Sequence, residues 1–155
     1  MFDKRRYLYS PCSGKSNALS TVPDEAFSSG MLGIGYAVTP NSGEIYSPCD
    51  GTIGNIAESK HAYTITTRDG VDVLVHIGID TVNLNGNGFD VKVSKGEKVK
   101  HGDLLANVSL ETIKNAGYIT STIVLITNPE AICEIEYDIG NDCTKEDALI
   151  SYRKA

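Results

Sequence analysis

The sequence predicts an all-β fold, in which many short antiparallel strands form a sandwich or barrel with one or two short helical turns. Two observations support this prediction. Fifteen glycines are spread over 155 residues, many of them in Asn-Gly, Asp-Gly and Ser-Gly pairs that are typical of tight turns. Between these turns lie short runs of β-branched residues that alternate with period two. No linker is evident, so we expect a single domain over residues 1–155.

Composition excludes several classes of function. The hydrophobic share of 41% suffices for a core, and the net charge of -6 argues against nucleic acid or an anionic membrane and favours a basic protein partner. No apolar run reaches the length of a membrane span and no signal peptide is evident, so we expect no membrane insertion and a cytoplasmic protein. Met1 favours a free-standing protein. The cysteines, which contain no C-x-x-C pair, are expected to be reduced thiols: Cys12, Cys49, Cys133 and Cys143.

The first feature in chain order is a repeated tetrapeptide. Tyr-Ser-Pro-Cys occurs at residues 9–12 and again at 46–49, each time followed by a turn. This repeat predicts two structurally equivalent corners of the sandwich or barrel. The segment between them should be a loop or short helical turn, and its apolar residues either enter the core or form an exposed docking patch: Phe27, Met31 and Leu32.

Residues 71–80 form the clearest predicted strand. The odd-numbered residues from 71 to 79 are all Val or Ile, so they predict a buried face. His76 falls on the opposite face, with Gly78 as its neighbour on that face. The pattern therefore places an imidazole on the outside of an apolar strand, with space on one flank.

The preceding run, residues 61–67, should pair with this strand as a hairpin. Asp69–Gly70 is a strong signal for a two-residue turn. With that turn, Tyr63 lies opposite His76, and His61 becomes the diagonal neighbour of His76 at roughly 7–8 Å between their Cβ atoms. A slip of one residue would put the two histidines on opposite faces of the sheet.

The C-terminal part predicts one short helix among further strands. Ser109 should cap a helix over residues 110–116, and Gly117 should end it. Residues 119–127, 133–137 and 148–152 read as strands.

Two histidines on one exposed face suit three different roles. One imidazole can attack phosphorus while the other orients the phosphoryl oxygens. Alternatively, the pair can bind a metal with a third ligand, for which Asp80 is a candidate although it lies roughly 13 Å along an extended strand from His76. The third interpretation is purely structural. His101 lies in a turn and is expected to be solvated.

The motif around the histidine resembles a known family. Residues 69–82, DGVDVLVHIGIDTV, closely resemble the phosphorylation site of glucose-type enzyme IIA, from the bacterial phosphoenolpyruvate-dependent sugar phosphotransferase system. The likeness extends through residues 22–24, 47–53 and 84–89 and through Gly102-Asp103.

The resemblance implies a β-sandwich of duplicated-hybrid type with both histidines in a shallow depression. His76 would take a phosphoryl group from phospho-HPr on Nε2 and pass it to a cysteine of an enzyme IIB domain of a sugar permease, with no cofactor required. His61 matches the second active-site histidine, and Ser59 matches the residue that hydrogen-bonds it. Gly78 matches the residue whose carbonyl holds the Nδ1 proton of the nucleophile.

The same resemblance implies a docking surface. Asp24 and Asp80 match acidic residues that face arginine on HPr, and the apolar docking rim would contain Phe27, Met31 and Leu32. Two rival interpretations remain open. Regulatory protein targets would make the chain a binding module of the same fold. Residues 93–105 also resemble the hammerhead pattern of biotinyl and lipoyl carrier domains, although those present a lysine at a hairpin tip.

Overall fold

The computed structural model describes residues 4–155, which form 14 strands, two short α-helices and three 3-10 turns. The all-β prediction is confirmed. Within this part of the chain no helix is long and apolar enough to cross a membrane. The strands are β1 (Arg6–Tyr9), β2 (Gly14–Ala18), β3 (Ile34–Pro40), β4 (Glu44–Tyr46), β5 (Gly51–Ile56), β6 (Ala62–Thr66), β7 (Asp72–Ile77), β8 (Phe89–Val91), β9 (Lys98–Val99), β10 (Leu104–Val108), β11 (Thr122–Ile126), β12 (Ile132–Tyr137), β13 (Asp142–Cys143) and β14 (Ala148–Lys154). The helices are α1 (Glu25–Ser28) and α2 (Leu110–Asn115), and the 3-10 turns are Leu19–Thr21, Thr81–Leu84 and Pro129–Ala131.

Three antiparallel sheets enclose the main core. The largest has the strand order β13-β2-β3-β11-β7-β6-β5-β9, and the two smaller sheets have the orders β1-β14-β12 and β4-β10-β8. One buried cluster contains residues from all three sheets, including Leu8, Ile45 and Val75, so the small sheets cover the inner face of the large one. A second, smaller cluster lies elsewhere and includes Phe27 and Ile123.

The fold consists of two similar halves. The seven strands β4 to β10 correspond, in the same order, to β1, β2, β3, β11, β12, β13 and β14. When each strand is replaced by its counterpart, the strand order of the large sheet is simply reversed, and the two small sheets exchange places. The centre is the β7–β11 pair, where Val75 lies opposite Val124. The two Tyr-Ser-Pro-Cys corners obey this symmetry, because Tyr9 N donates to Pro48 O (2.8 Å) and Tyr46 N to Pro11 O (2.7 Å). Their predicted equivalence is confirmed.

The strand that contains His76 has the predicted faces. The odd-numbered residues from 71 to 77 are buried in the main core, whereas His76 lies on the opposite, partly exposed face. Ile79 is also buried, but it lies beyond the turn at Gly78 and belongs to the second cluster, on the outer face. Period-two alternation therefore assigned the two faces correctly as far as Ile77, and the prediction is wrong for Ile79.

The predicted two-residue turn is wrong. Thr67 and Val71 form the last pair before the turn, since Thr67 N donates to Val71 O (2.9 Å). The hairpin loop therefore contains the three residues 68–70. The Thr67 hydroxyl accepts from Val71 N at 3.0 Å and stabilises this longer loop. The register of β6 against β7 is consequently shifted by one residue from the prediction.

The C-terminal elements follow the prediction with altered bounds: α2 and β11 are shorter than predicted, whereas β12 and β14 are longer. The Ser109 hydroxyl accepts from Thr112 N at 3.2 Å and caps α2, as expected. The strand predicted over residues 119–127 is confined to β11. The alternation expected in β12 is interrupted by a bulge, where Glu134 adopts a positive φ of 50°.

Candidate active site

His76 is the last residue but one of β7 and has a strand on each side. Ala62 of β6 lies opposite it in one direction and Ile123 of β11 in the other. The strand then ends at Gly78, whose φ is +75°. A Cβ atom there would come within 2.4 Å of Thr81 Cγ2, so only glycine allows the tight turn that ends the strand beside His76.

His61 reaches His76 by a route that the sequence did not predict. Because Ala62 is opposite His76, regular alternation would turn His61 toward the core. His61 instead precedes β6 in a bend, after Lys60 with a left-handed φ of 64°. The two imidazole rings lie edge to face, with their centroids 5.0 Å apart and an interplanar angle of 86°. The predicted proximity is confirmed, although the predicted register that led to it is wrong.

The two nitrogen atoms of each histidine have different surroundings. Nδ1 of His61 and Nδ1 of His76 are both buried and make no hydrogen bond of ordinary geometry with any described residue. In contrast, neither Nε2 atom is fully buried, and neither forms a hydrogen bond with a residue in the range 4–155. Nε2 is therefore the nitrogen that a ligand can reach on each ring.

Burial keeps both imidazoles uncharged at neutral pH. It is the main cause that lowers the pKa of His76 from 6.5 to about 4, and the neighbouring His61 adds to the lowering. The Gly78 backbone and the Asp24 carboxylate act in the opposite direction on the same ring. Burial also lowers the pKa of His61. A neutral imidazole has a free lone pair, which a nucleophile requires.

The burial of Phe27 contradicts the prediction that it belongs to an exposed docking patch. Its side chain is only 6% exposed, and its ring centroid lies 4.9 Å from that of His76 at an angle of 59°. It packs with Ile123 and Ile79 in the second cluster because α1 lies over the outer face of the large sheet. Asp24 fixes that helix, since its carboxylate accepts from Ala26 N at 3.0 Å. Phe27 is therefore a wall of the site.

The exposed apolar rim contains other residues. Met31 is 74% exposed and Leu32 43% exposed, as expected for docking residues. Val82 and Ile119, at 48% and 43%, were missed. Val82 is the second residue of the 3-10 turn that begins after Asp80, and Ile119 O accepts from Ile79 N at 3.0 Å. Val82 and Ile119 therefore both lie next to the end of β7. An apolar residue inside a polar loop is the signal that would have identified Val82.

Two further predicted site residues differ from expectation. The Ser59 hydroxyl makes no hydrogen bond with any described residue, so the predicted Ser59–His61 bond is not formed in this structure. Its turn is held instead by the backbone, with Lys60 N donating to Ala57 O at 2.8 Å. Asp80 is exposed, as expected for a docking residue, but it lies beyond the end of β7 with a left-handed φ of +61° and is not in the strand predicted over residues 71–80.

The remaining histidine and the metal interpretation are also described by the structure. His101 is exposed, as predicted, and stacks on Tyr9 with centroids 4.1 Å apart. In residues 4–155 no group of three His, Cys, Asp or Glu side chains has the arrangement of a metal site.

Comparison with known proteins identifies the family. Residues 6–132 match the family described as phosphoenolpyruvate-dependent sugar phosphotransferase system, EIIA 1. The glucose-specific EIIA component of Borreliella burgdorferi is 41% identical over 133 residues, which are 86% of this chain and 70% of that protein. Glucose permease IIA from Mycoplasma capricolum is 35% identical and superposes with a TM-score of 0.87 over 97% of both chains.

Two longer proteins are also similar. The glucose-specific EIICBA component of Streptococcus pneumoniae is 45% identical over 88% of this chain, and the beta-glucoside-specific EIIBCA component of Bacillus subtilis is 44% identical over 81%. The matched parts are only 19% and 21% of those proteins. The chain thus belongs to the EIIA 1 family of the phosphoenolpyruvate-dependent sugar phosphotransferase system, whose members are phosphotransferase components with a phosphohistidine intermediate.

Proposed function

We propose that His76 is the phosphorylated residue and that phospho-HPr is its donor. The observation that carries the proposal is a buried, neutral imidazole whose accessible nitrogen is Nε2. The Nε2 lone pair attacks phosphorus, and the bond between phosphorus and the donor breaks as HPr leaves with the electron pair. The imidazole is itself the nucleophile, so this transfer requires no cofactor.

In the second step, the thiolate of an enzyme IIB cysteine attacks the same phosphorus and the bond to Nε2 breaks. An EIIB acceptor is supported by the names of two relatives, which combine EIIA with EIIB and EIIC. His61 lies with its ring edge to face against that of His76 and is proposed to orient the phosphoryl oxygens. Gly78 supports Nδ1 through its backbone, and Ser59 is proposed to hydrogen-bond His61 when the phosphoryl group is present.

The exposed rim completes the proposed docking surface. Asp24 and Asp80 would attract a basic HPr surface, and the apolar contacts would come from Met31, Leu32, Val82 and Ile119. A cytoplasmic location fits the cysteines, since all four are free thiols.

The test is phosphorylation from phosphoenolpyruvate through enzyme I and HPr, followed by intact mass. The unmodified protein should gain one phosphoryl group that is lost in acid and kept in alkali, because protonation of phosphohistidine expels phosphate. His76→Gln should gain none, whereas His101→Gln, at the exposed third histidine, should behave like the unmodified protein. An acid-stable adduct, or phosphorylation of His76→Gln, would overturn the proposal.

A further inference from the structure

A second recess lies at the opposite end of the β6–β7 hairpin from the histidines. His76 lies six positions after Gly70, which is roughly 20 Å along an extended strand. The recess has a volume of about 940 Å³, within the range of small-molecule sites. It continues into a second cavity of about 620 Å³, and the two share Asp50, Thr67 and Arg68 as lining residues.

Three exposed cations line this recess, and two of them have no anionic partner within residues 4–155. The side chains of Lys98 and Lys100 form no hydrogen bond or ion pair with a described residue. Arg68 also forms no hydrogen bond within this range, and its charge helps to lower the pKa of the neighbouring Asp69. The two carboxylates of the recess accept hydrogen bonds from backbone amides. Asp50 accepts from His101 N and Asp103 accepts from Lys100 N, each at 2.8 Å. Three cations against two carboxylates leave the lining of this recess with a net positive charge, in a chain of net charge -6.

Comparison of the two halves of the fold shows that the strand pairing at Lys98 does not require a cation. In one half Lys98 lies opposite Thr52 across the β9–β5 pair. At the equivalent β13–β2 pair, Asp142 takes the place of Lys98 and lies opposite Lys15. The backbone pairing is thus the same although a carboxylate takes the place of the Lys98 ammonium, so Lys98 has no basic counterpart in the other half.

We propose that this recess binds a small organic anion that carries phosphate groups. The Arg68 guanidinium offers a planar fork of donors, and two ammonium groups supply further charge-assisted hydrogen bonds to the several oxygens of a phosphate. The Thr67 hydroxyl accepts from Val71 N, so its proton is free to donate into the recess. Val99 and the threonine methyl groups provide an apolar wall for the organic part of the ligand.

The experiment is an NMR titration of ¹⁵N-labelled protein with inorganic pyrophosphate, at an ionic strength held constant with sodium chloride. We expect saturable shifts of amides near Arg68 and Val99. The double variant Lys98→Gln/Lys100→Gln should weaken binding by about tenfold or more, because two charge-assisted hydrogen bonds are lost. Both lysines are exposed and remote from His76, so phosphorylation from phospho-HPr should be unchanged and will show that the variant is folded.

Lys15→Gln is the matched control, because Lys15 is exposed and lies at the equivalent strand pair of the other half. It should bind pyrophosphate like the unmodified protein. Three results would overturn the proposal: no saturable shift, an equal loss of binding in Lys15→Gln, or shifts confined to residues around His61 and His76. Binding to phosphatidylglycerol vesicles without binding of soluble pyrophosphate would also overturn it, since it would assign the recess to a membrane.

Discussion

Ring contacts hold the imidazole of His76 in place together with the Gly78 backbone, which interacts with the same ring. Phe27 and His61 contact the ring at centroid distances of 4.9 Å and 5.0 Å. These contacts both orient the imidazole and remove it from water, which is the main reason for its low pKa. Orientation and basicity at this residue therefore have one common cause.

Removal of the Phe27 ring should raise the pKa of His76 from about 4 toward 6.5. The Phe27→Ala variant admits water to the imidazole, and hydration favours its charged form. In the unmodified protein the low pKa means that stability is full above pH 6.5 and falls as the pH drops toward 4; in Phe27→Ala this loss should be smaller.

The measurement is an NMR titration of the His76 ring together with thermal unfolding at pH 7 and pH 5. Phe89→Ala is the control, since Phe89 is equally buried in β8 and is not in ring contact with His76. An unchanged His76 pKa in Phe27→Ala would show that the ring contact does not govern basicity.

The two histidines should be separable by substitution. His61→Gln keeps the nucleophile, so it should still accept phosphate from HPr. It should pass that phosphate to an enzyme IIB domain far more slowly, by about 100-fold, because a positioned group acts mainly in the transition state. Adduct formation is followed by mass and transfer by loss of the adduct. If His61→Gln blocks acceptance while His76→Gln permits it, the assigned roles are reversed.

At the scale of single elements, faces were predictable and the turn was not. The buried face of β7 and its flanking Val71 follows from four alternating Val and Ile residues, 71 to 77, and needs no distant information. The length of its hairpin loop depends in addition on Asn128, whose side chain donates to Gly70 O (2.8 Å) and accepts from Asp72 N (2.7 Å). A contact from a residue so far along the chain is not readable in the local sequence.

The position of His61 illustrates the same limit. Its approach to His76 depends on the left-handed backbone conformation of Lys60. Lysine seldom adopts this conformation, and no local sequence pattern predicts it here. The sequence also did not show that α1 places Phe27 against the site. What it did predict, the histidine pair beside a strand end closed by glycine, comes from short-range pattern and from the family motif.

The glycine that ends β7 should be indispensable for its geometry. In Gly78→Ala the added Cβ would lie 2.4 Å from Thr81 Cγ2 and 2.9 Å from Ile119 O, at a φ of +75°. Gly70→Ala is the control, because Gly70 has a φ of +84° and nothing within 4 Å of the added atom. Gly70→Ala should cost about 1 kcal/mol from backbone strain alone, and Gly78→Ala about 3 kcal/mol or more.

Urea unfolding measures both free energies. Equal losses would mean that the turn after β7 relaxes without cost. A larger loss for Gly78→Ala, with slower phosphorylation of the folded fraction, would show that the close packing of this turn sets the position of His76.

At the scale of the molecule, two halves share a backbone plan but few side chains. The sequence revealed only the Tyr-Ser-Pro-Cys corners, because hydrogen bonds between main-chain atoms carry the rest of the equivalence. The symmetry that exchanges Val75 and Val124 also exchanges His76 with Leu125, which is fully buried. A shared architecture therefore supports the proposed phosphorylated histidine in one half and a packing residue in the other.

Charge should steer the docking of HPr at the histidine end. Asp80→Asn should slow phosphorylation by roughly two- to fivefold at low salt, and the rate of the unmodified protein should fall as ionic strength rises. Glu146→Gln is the control, since it removes an exposed carboxylate from a different recess, between β13 and β14. Initial rates at several salt concentrations provide the measurement. A rate independent of salt, or an equal effect of Glu146→Gln, would contradict steering by Asp80.

The central place of β7 also determines which parts of the site can move. The strand has hydrogen-bonded neighbours on both sides, β6 and β11, so its amides should exchange with solvent only when the whole domain opens. The exposed rim residues lie outside the strands: Met31 and Leu32 follow α1, Val82 is in the 3-10 turn Thr81–Leu84, and Ile119 precedes β11. Under the proposed function, adaptation to a docking partner would therefore be confined to the rim, and Nε2 of His76 would be a fixed point against which the partner must align its own reacting group.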